Sequence, residues 1–236
     1  MADIQTEEIL LPSNGIVYPD SNPLSSGVVE MKYMTAKEED ILTNQALIQK
    51  GTVLDKLLES LTLNKIKVGD LVQGDKNALL IAARILGYGA KYKFTWGGEE
   101  QEFDLNQIDN KPYNPDNQVK HNEFSFELPT SGQNITYKLL TGTDEYNIRR
   151  EIEGLKKIAK DSSAELSTRL KFQIKSVGDS TEAKVIREFV DNMRVLDSKA
   201  LRDHIKKTQP NVDLTIRLES DEEIELPITL GFFWPD

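Results

Sequence analysis

The sequence predicts an α+β fold with short N-terminal strands and three helices, antiparallel β-hairpins, a four-helix segment and a closing C-terminal hairpin. Apolar residues recur at helical spacing at 35–61 and 75–86, and the same spacing returns between 143 and 210. Residues 91–139 and 212–226 instead alternate apolar with polar side chains, which is typical of half-buried strands. These patterns divide the chain into four regions, namely 1–90, 91–142, 143–210 and 211–236.

The first region begins with strands and leads into a capped helix. Apolar runs at 8–12 and 28–34 are typical of short strands. Thr35 and Glu38 then form a capping box, in which a hydroxyl and a carboxylate three residues apart satisfy free backbone amides. We therefore expect a helix that begins at Thr35 and ends at Gly51, because glycine readily adopts a left-handed backbone after a helix.

Two further helices are predicted in the first region. The next helix has charged residues on one side and five apolar residues on the other, namely Val53, Leu54, Leu57, Leu58 and Leu61. Asp75 is then predicted to cap a helix that runs to Leu86 and ends at Gly87. Because that helix is apolar nearly all round, it must be covered on most sides, and we expect it to be the central core helix.

Antiparallel hairpins are predicted for residues 91–142. Aromatic and polar side chains alternate at 92–96, and the Gly-Gly pair that follows is typical of a two-residue hairpin turn. A polar loop at 109–122 separates this hairpin from a second one at 124–139. We expect the loop to be exposed.

Four helices are predicted for residues 143–210. Asp179 and Glu182 resemble a capping box for the third helix, Asp197 begins the fourth, and Pro210 ends it. The four apolar stripes are Ile148, Ile152, Leu155 and Ala159; Leu166, Leu170, Ile174 and Val177; Ile186, Phe189, Val190 and Met193; and Leu201 and Ile205.

A closing hairpin and an aromatic tail are predicted for residues 211–236. Strand alternation at 212–218 continues beyond a polar turn to the apolar residues 224 and 226. The pattern repeats that of 92–105, since both segments fold alternating strands around an acid-rich turn. This likeness indicates either an internal repeat or two ordinary hairpins, and it makes 211–236 a candidate for one compact unit with 91–142.

Composition argues against several classes of function. The 236 residues include 39 acidic and 29 basic side chains, a formal charge of −10, whereas nucleic-acid binders depend on clustered basic residues. The sequence contains no cysteine and no apolar run of about 18 residues, so we expect no disulfide, no thiolate metal site and no membrane span. The acidic N-terminal residues do not have the pattern of a signal peptide.

The sequence predicts no catalytic, cofactor-binding or metal-binding residues. His121 and His204 lie in polar surroundings, without the spacing of a metal site, and we expect His204 to be solvated. Glycine-rich nucleotide loops and a nucleophile elbow are missing from the sequence. A hydrolase with an Asp/Glu pair is a distant alternative, because a general acid needs a carboxyl group whose pKa is raised by burial. The carboxylates here instead lie at caps, turns and charged faces.

Four segments together resemble a known protein family. They are LPSNGIVYP, MTAKEEDILTNQALIQKGTVLDKLL, GDKNALLIAARILGYG and the terminal LGFFWPD. They are similar to the baseplate hub subunit or hub assembly proteins of T-even-type contractile-tailed bacteriophages. Members of that family often carry paired cysteines at two hairpins, in the manner of zinc knuckles. This chain has no cysteine there, so zinc binding is not carried over.

The resemblance implies a non-enzymatic structural or assembly protein of a phage baseplate hub, which contacts other hub or tail proteins. An alternative is a transient assembly chaperone that is not retained in the virion. The protein is therefore expected in the host cytoplasm during assembly, and in the tail baseplate of the virion if it is retained. Neither function involves a nucleic acid, a membrane span or a metal.

The C-terminal residues Phe232, Phe233, Trp234 and Pro235 are the candidate partner-binding residues. Chain ends are usually polar and poorly ordered, so three large aromatic side chains at this position need cover. The tail either folds back over the core, for instance against the 92–105 hairpin, or docks on a neighbouring hub protein. Aromatic residues are common anchors of protein interfaces, which is the basis of the second alternative.

Overall fold

A computed structural model describes residues 5–111, 113, 121–158, 164–218 and 221–234. The described residues form eight α-helices and nine β-strands in small antiparallel sheets, and the predicted α+β fold is confirmed. In chain order the elements are β1 (Thr6–Leu10), β2 (Val28–Lys32), α1 (Ala36–Leu42), α2 (Gln45–Gln49), α3 (Val53–Leu61), α4 (Gln73–Tyr88), β3 (Lys91–Trp96), β4 (Glu99–Asp104), β5 (Phe124–Glu127), β6 (Asn134–Tyr137), α5 (Gly142–Ile158), α6 (Glu165–Gln173), β7 (Ile174–Val177), α7 (Ala183–Asp191), α8 (Val195–Thr208), β8 (Thr215–Arg217) and β9 (Glu223–Glu225).

The chain divides into two compact units. Unit 1 combines residues 1–15 and 20–113 with the C-terminal residues 210–236, and unit 2 combines residues 16–19 with 114–209. Unit 1 therefore contains β1 to β4, α1 to α4 and the closing β8–β9 hairpin.

The first helix of unit 1 begins as predicted, and Glu38 is central to its start. The carboxylate of Glu38 is fully buried and accepts hydrogen bonds from the amide (3.0 Å) and hydroxyl (2.7 Å) of Thr35, so the predicted capping box is confirmed. The hydroxyl of Ser60 on α3 and the ammonium group of Lys32 on β2 also bind this carboxylate, each at 2.7 Å. Glu38 thus joins β2, α1 and α3.

The single helix predicted for 35–50 is wrong, because the chain forms two helices there. Helix α1 ends before Thr43, and the side-chain oxygen of Asn44 accepts hydrogen bonds from the amides of Ala46 (3.0 Å) and Leu47 (3.2 Å). Asn44 therefore caps α2 as a new helix. The local hydrogen bonds of asparagine compete with continuation of the first helix, and the apolar spacing alone does not reveal this break.

Helix α4 is the buried central helix of unit 1, as predicted, but its ends differ from the prediction. Ten of its residues are buried, and it runs from Gln73 to Tyr88, beyond Gly87. Asp75 lies inside the first turn and does not cap the helix, which is a correction. Its buried carboxylate instead accepts hydrogen bonds from the amide (2.9 Å) and hydroxyl (2.6 Å) of Ser13. This contact fixes the N-terminal turn to α4.

Gly74 marks a close approach between α4 and the chain that enters the closing hairpin. A Cβ atom at Gly74 would lie 1.9 Å from the backbone oxygen of Pro210. We expect Gly74→Ala to lower the free energy of unfolding by about 2 kcal/mol, because the backbone must move apart. The matched Gly154→Ala in α5 has open space around the new Cβ and is expected to raise stability by about 0.5–1 kcal/mol.

Urea denaturation of the two glycine variants measures this difference. Helix propensity alone predicts that alanine stabilises both positions. A Gly74→Ala protein as stable as the Gly154→Ala protein would therefore show that the close approach is wrong.

Both predicted hairpins of unit 1 are present. In the first, β3 and β4 pair in register, with Tyr92 opposite Phe103 and Trp96 opposite Glu99 across the Gly-Gly turn. In the second, β8 pairs with β9, and Ile216 faces Ile224. Each hairpin forms a two-stranded sheet of its own.

Unit 2 contains a three-stranded antiparallel sheet in the order β5-β6-β7, together with α5 to α8. Its buried residues include Ile135 and Tyr137 on β6, Ile148 on α5 and Leu201 on α8. His204 is half-buried and stacks on Phe126 at a ring-centroid distance of 4.4 Å, so the expectation of a solvated histidine is wrong.

Three helix predictions in unit 2 need correction. Ile174 and Val177 belong to β7 and do not extend the stripe of α6, because the alternating residues Ile174 to Val177 pair with β6 and a glycine follows. Helix α7 begins at Ala183, after Glu182, and no side chain caps it, so the predicted Asp179 and Glu182 box is absent. The fourth helix begins at Val195 and not at Asp197, which lies in its first turn. The four helices are thus confirmed, but a strand interrupts them.

Candidate partner-binding surface

The C-terminal aromatic residues lie in a short 3-10 helix, Leu230–Phe233, that packs in unit 1. Phe232 and Phe233 are fully buried, with exposed fractions of 1% and 0%. The ring of Phe232 lies 4.9 Å from that of Tyr92 on β3 and 5.5 Å from that of Phe233. For these two residues the tail folds back over the core and against the β3–β4 hairpin.

Arg84 of α4 holds this segment through a buried guanidinium group. Its Nε donates to the carbonyl oxygen of Phe232 (3.1 Å), and its Nη1 donates to that of Gly89 (2.9 Å). The guanidinium carbon also lies over the rings of Tyr88 (5.1 Å) and Tyr92 (5.8 Å). Burial lowers the pKa of Arg84 from its usual value. One cation thus joins the end of α4, the β3–β4 hairpin and the C-terminal segment.

The two tryptophans of the chain, both in unit 1, are partly exposed. Trp234 directly follows the buried phenylalanines, and 41% of its surface is exposed. Trp96 ends β3, is 44% exposed, and donates a hydrogen bond from Nε1 to Oε2 of Glu222 at 3.2 Å. Pro235, the fourth candidate residue, lies outside the described residues. Of the candidates within them, only Trp234 offers a large exposed side chain.

Acidic side chains are frequent on the two hairpins that the hydrogen bond of Trp96 joins. Glu99, Glu223 and Glu225 are all exposed on the strands of the two hairpins. Asp213, before β8, has a lowered pKa because the backbone amide of Thr215 donates to it. The two hairpins therefore present the exposed part of Trp96 together with exposed carboxylates.

The buried carboxylates of the protein are bound within structural contacts. Burial alone raises the pKa of Glu38, but hydrogen bonds from Lys32, Ser60 and Thr35 outweigh it and lower that pKa to about 2. Burial likewise raises the pKa of Asp197, and hydrogen bonds led by the backbone amide of Thr130 lower it below its usual value. A general acid requires the opposite shift, so neither carboxylate supports the hydrolase alternative.

Among the described residues, no group of three or more His, Cys, Asp and Glu side chains is placed to hold a metal ion. Within the same part of the chain, no helix is both long and apolar enough to cross a membrane.

Sequence reasoning identified the aromatic tail but missed Arg84. Its position within the apolar stretch 78–86 could have indicated a buried cation, and a buried cation needs several hydrogen-bond acceptors. The hydrogen bond from Trp96 to Glu222 joins residues 126 positions apart, and no local pattern indicates it.

Comparison with known proteins identifies the family. The sequence model of the family described as T4 bacteriophage base plate protein matches residues 11–234, which is nearly the whole chain. Comparisons with curated proteins and with solved structures give no significant match. The matched range includes the N-terminal turn, the central helix α4 and the exposed Trp234. The chain therefore belongs to the T4 bacteriophage base plate protein family.

Proposed function

We propose that this chain is a non-enzymatic structural protein of the baseplate hub, and that its C-terminal segment contacts a neighbouring hub or tail protein. The observation that carries this proposal is the exposure of Trp234 at the end of a rigidly held segment. Phe232 and Phe233 anchor the segment in the core, and Arg84 binds its backbone. The backbone next to Trp234 is therefore already ordered before binding, so little further ordering is needed, which favours Trp234 as an interface anchor.

Retention in the virion separates this function from that of an assembly chaperone. Both functions use contacts with hub proteins, and both agree with membership of a baseplate family. We favour the structural role because the family is described as a base plate protein.

Replacement of Trp234 tests the contact. We expect Trp234→Ala to weaken binding to the hub partner at least about tenfold, because central aromatic anchors contribute about 2 kcal/mol or more. The protein should remain folded at the assay temperature, with only a modest fall in melting temperature, since 41% of the residue is exposed. Affinity is measured by pull-down and titration of the full-length protein against the other hub and tail proteins.

Tyr146→Ala is the matched control. Tyr146 is an aromatic residue of α5 in unit 2 with 48% of its surface exposed, so its removal should leave binding unchanged. Equal affinities of wild type and Trp234→Ala would show that the C-terminal segment is not the contact. Absence of binding by the wild type would show that the chain does not act through hub contacts.

A further inference from the structure

The two hairpins of unit 1 are joined through the segment that follows the first hairpin and the segment that precedes the second. Asn110 forms an antiparallel bridge with Val212, and the amide of Asp213 donates to the carbonyl oxygen of Asp109 at 2.8 Å. The bond between Trp96 and Glu222 joins the hairpins again at their turns. Backbone contacts at one end and a side-chain contact at the other therefore hold the hairpins together.

These joined hairpins carry most of the net negative charge of the chain. Residues 91–104 and 213–225 contain ten acidic and three basic side chains, a formal charge of −7 out of −10. All three basic side chains are already used in ion pairs with carboxylates of the same hairpins. The pairs are Lys91–Glu102, Lys93–Glu100 and Arg217–Asp221.

Trp96 lies opposite Glu99 in the first hairpin and binds Glu222, which directly precedes β9 of the second. We name these residues, together with Glu223 and Glu225 of β9, the acidic tip. All five side chains are exposed. No lysine, arginine or histidine nitrogen among the described residues lies within 4.0 Å of the four carboxylates. The negative charge of the tip is thus available to another molecule.

Protection of sheet edges explains only part of this surface. Charged side chains on two-stranded sheets hinder edge-to-edge association, and Glu223 and Glu225 would serve that purpose. Trp96, at a hairpin turn and 44% exposed, does not hinder association, because exposed apolar surface favours it. Glu222 also accepts the Nε1 hydrogen bond of Trp96, so this indole is both exposed and held beside a carboxylate.

We propose that the acidic tip binds a basic segment, rich in arginine or lysine, of a neighbouring hub or tail protein. Exposed carboxylates attract such cations, and the face of an indole ring binds a guanidinium or ammonium group. This inference rests on the proposed function, because it specifies the chemistry of a partner for the same protein. It adds the acidic tip to the contact made by Trp234.

Two variants of the full-length protein test this inference against hub and tail proteins. Trp96→Ala and the double variant Glu223→Lys/Glu225→Lys are each expected to bind the partner about tenfold more weakly than wild type. The control Glu153→Lys/Asp203→Lys changes the net charge equally on exposed helical positions of unit 2 and should bind as wild type does. Wild-type affinity should also fall as salt concentration rises.

Carbodiimide cross-linking supplies a second readout, because this reagent joins carboxylates directly to amines in contact with them. We expect cross-links from Glu222, Glu223 or Glu225 to lysines of the partner, detected by mass spectrometry. Should Trp96→Ala unfold the hairpin, Glu223→Gln/Glu225→Gln removes charge at exposed positions without altering packing, and it should still weaken binding.

The outcomes separate the two proposals. Wild-type affinity in the charge variants, or cross-links only elsewhere on the protein, would overturn the inference while leaving the hub function intact. A wild-type protein that binds no hub or tail protein would overturn both. Selective loss of binding in the tip variants, with normal binding by the control, supports the inference.

Discussion

Phe233→Ala is expected to lower the free energy of unfolding by about 3–5 kcal/mol, because Phe233 is 0% exposed and its removal leaves a large cavity. The loss should appear as a lower urea midpoint. The adjacent Trp234→Ala serves as the control, with a smaller expected change of about 1–2 kcal/mol, since 41% of that residue is exposed and less apolar surface is lost. The pair thus compares two neighbouring aromatic residues with different burial.

Equal stabilities of these two variants would contradict the packing of the C-terminal segment. If Phe233 faced solvent and bound a partner, its removal would reduce hub binding and leave the unfolding curve unchanged. The present structure predicts the reverse, with stability dependent on Phe233 and binding dependent on Trp234. Both properties are therefore measured on each variant.

Glu38→Gln is expected to lower the free energy of unfolding by about 3 kcal/mol at pH 7. The pKa of Glu38 is lowered from 4.5 to about 2 in the folded protein, and each unit corresponds to about 1.4 kcal/mol. Thr35→Ala, which removes one of several donors to this carboxylate, should cost about 1 kcal/mol. Glu99→Gln at an exposed position of β4 is the control and should change little.

The difference in free energy of unfolding between wild type and Glu38→Gln should depend on pH. Because the folded pKa lies below the unfolded one, the carboxylate contributes its full stability above about pH 4.5 and loses it as the pH falls towards 2. The unfolding curves of wild type and Glu38→Gln should therefore approach each other as the pH is lowered from 7 to 2.5. A difference that stays constant over this range would show that Glu38 is not ionised in its network.

Local patterns in the sequence predicted the elements that depend on neighbouring residues. The capping box of Thr35 and Glu38 and the Gly-Gly turn after Trp96 involve residues within four positions of one another, so their chemistry is visible in the sequence. The apolar character of residues 78–83 likewise predicted a buried helix. Fold class followed from these elements.

Elements that depend on distant partners were predicted poorly. Ile174 and Val177 fit the spacing of α6, and only pairing with β6, about 40 positions earlier, makes them a strand. Asp75 is a residue type that often caps helices, but its carboxylate accepts a hydrogen bond from Ser13, 62 positions earlier in the chain. The aromatic tail was ambiguous for the same reason, since Arg84 and Tyr92, which hold it, precede it by about 140 residues.

Quantitative mass spectrometry of purified virions and of assembly intermediates tests the structural role most directly. A structural hub protein should be present in the finished virion at a fixed ratio to the other baseplate proteins, and at the same ratio in isolated baseplates. Its presence in intermediates together with its absence from intact virions would contradict the proposal and would identify an assembly chaperone.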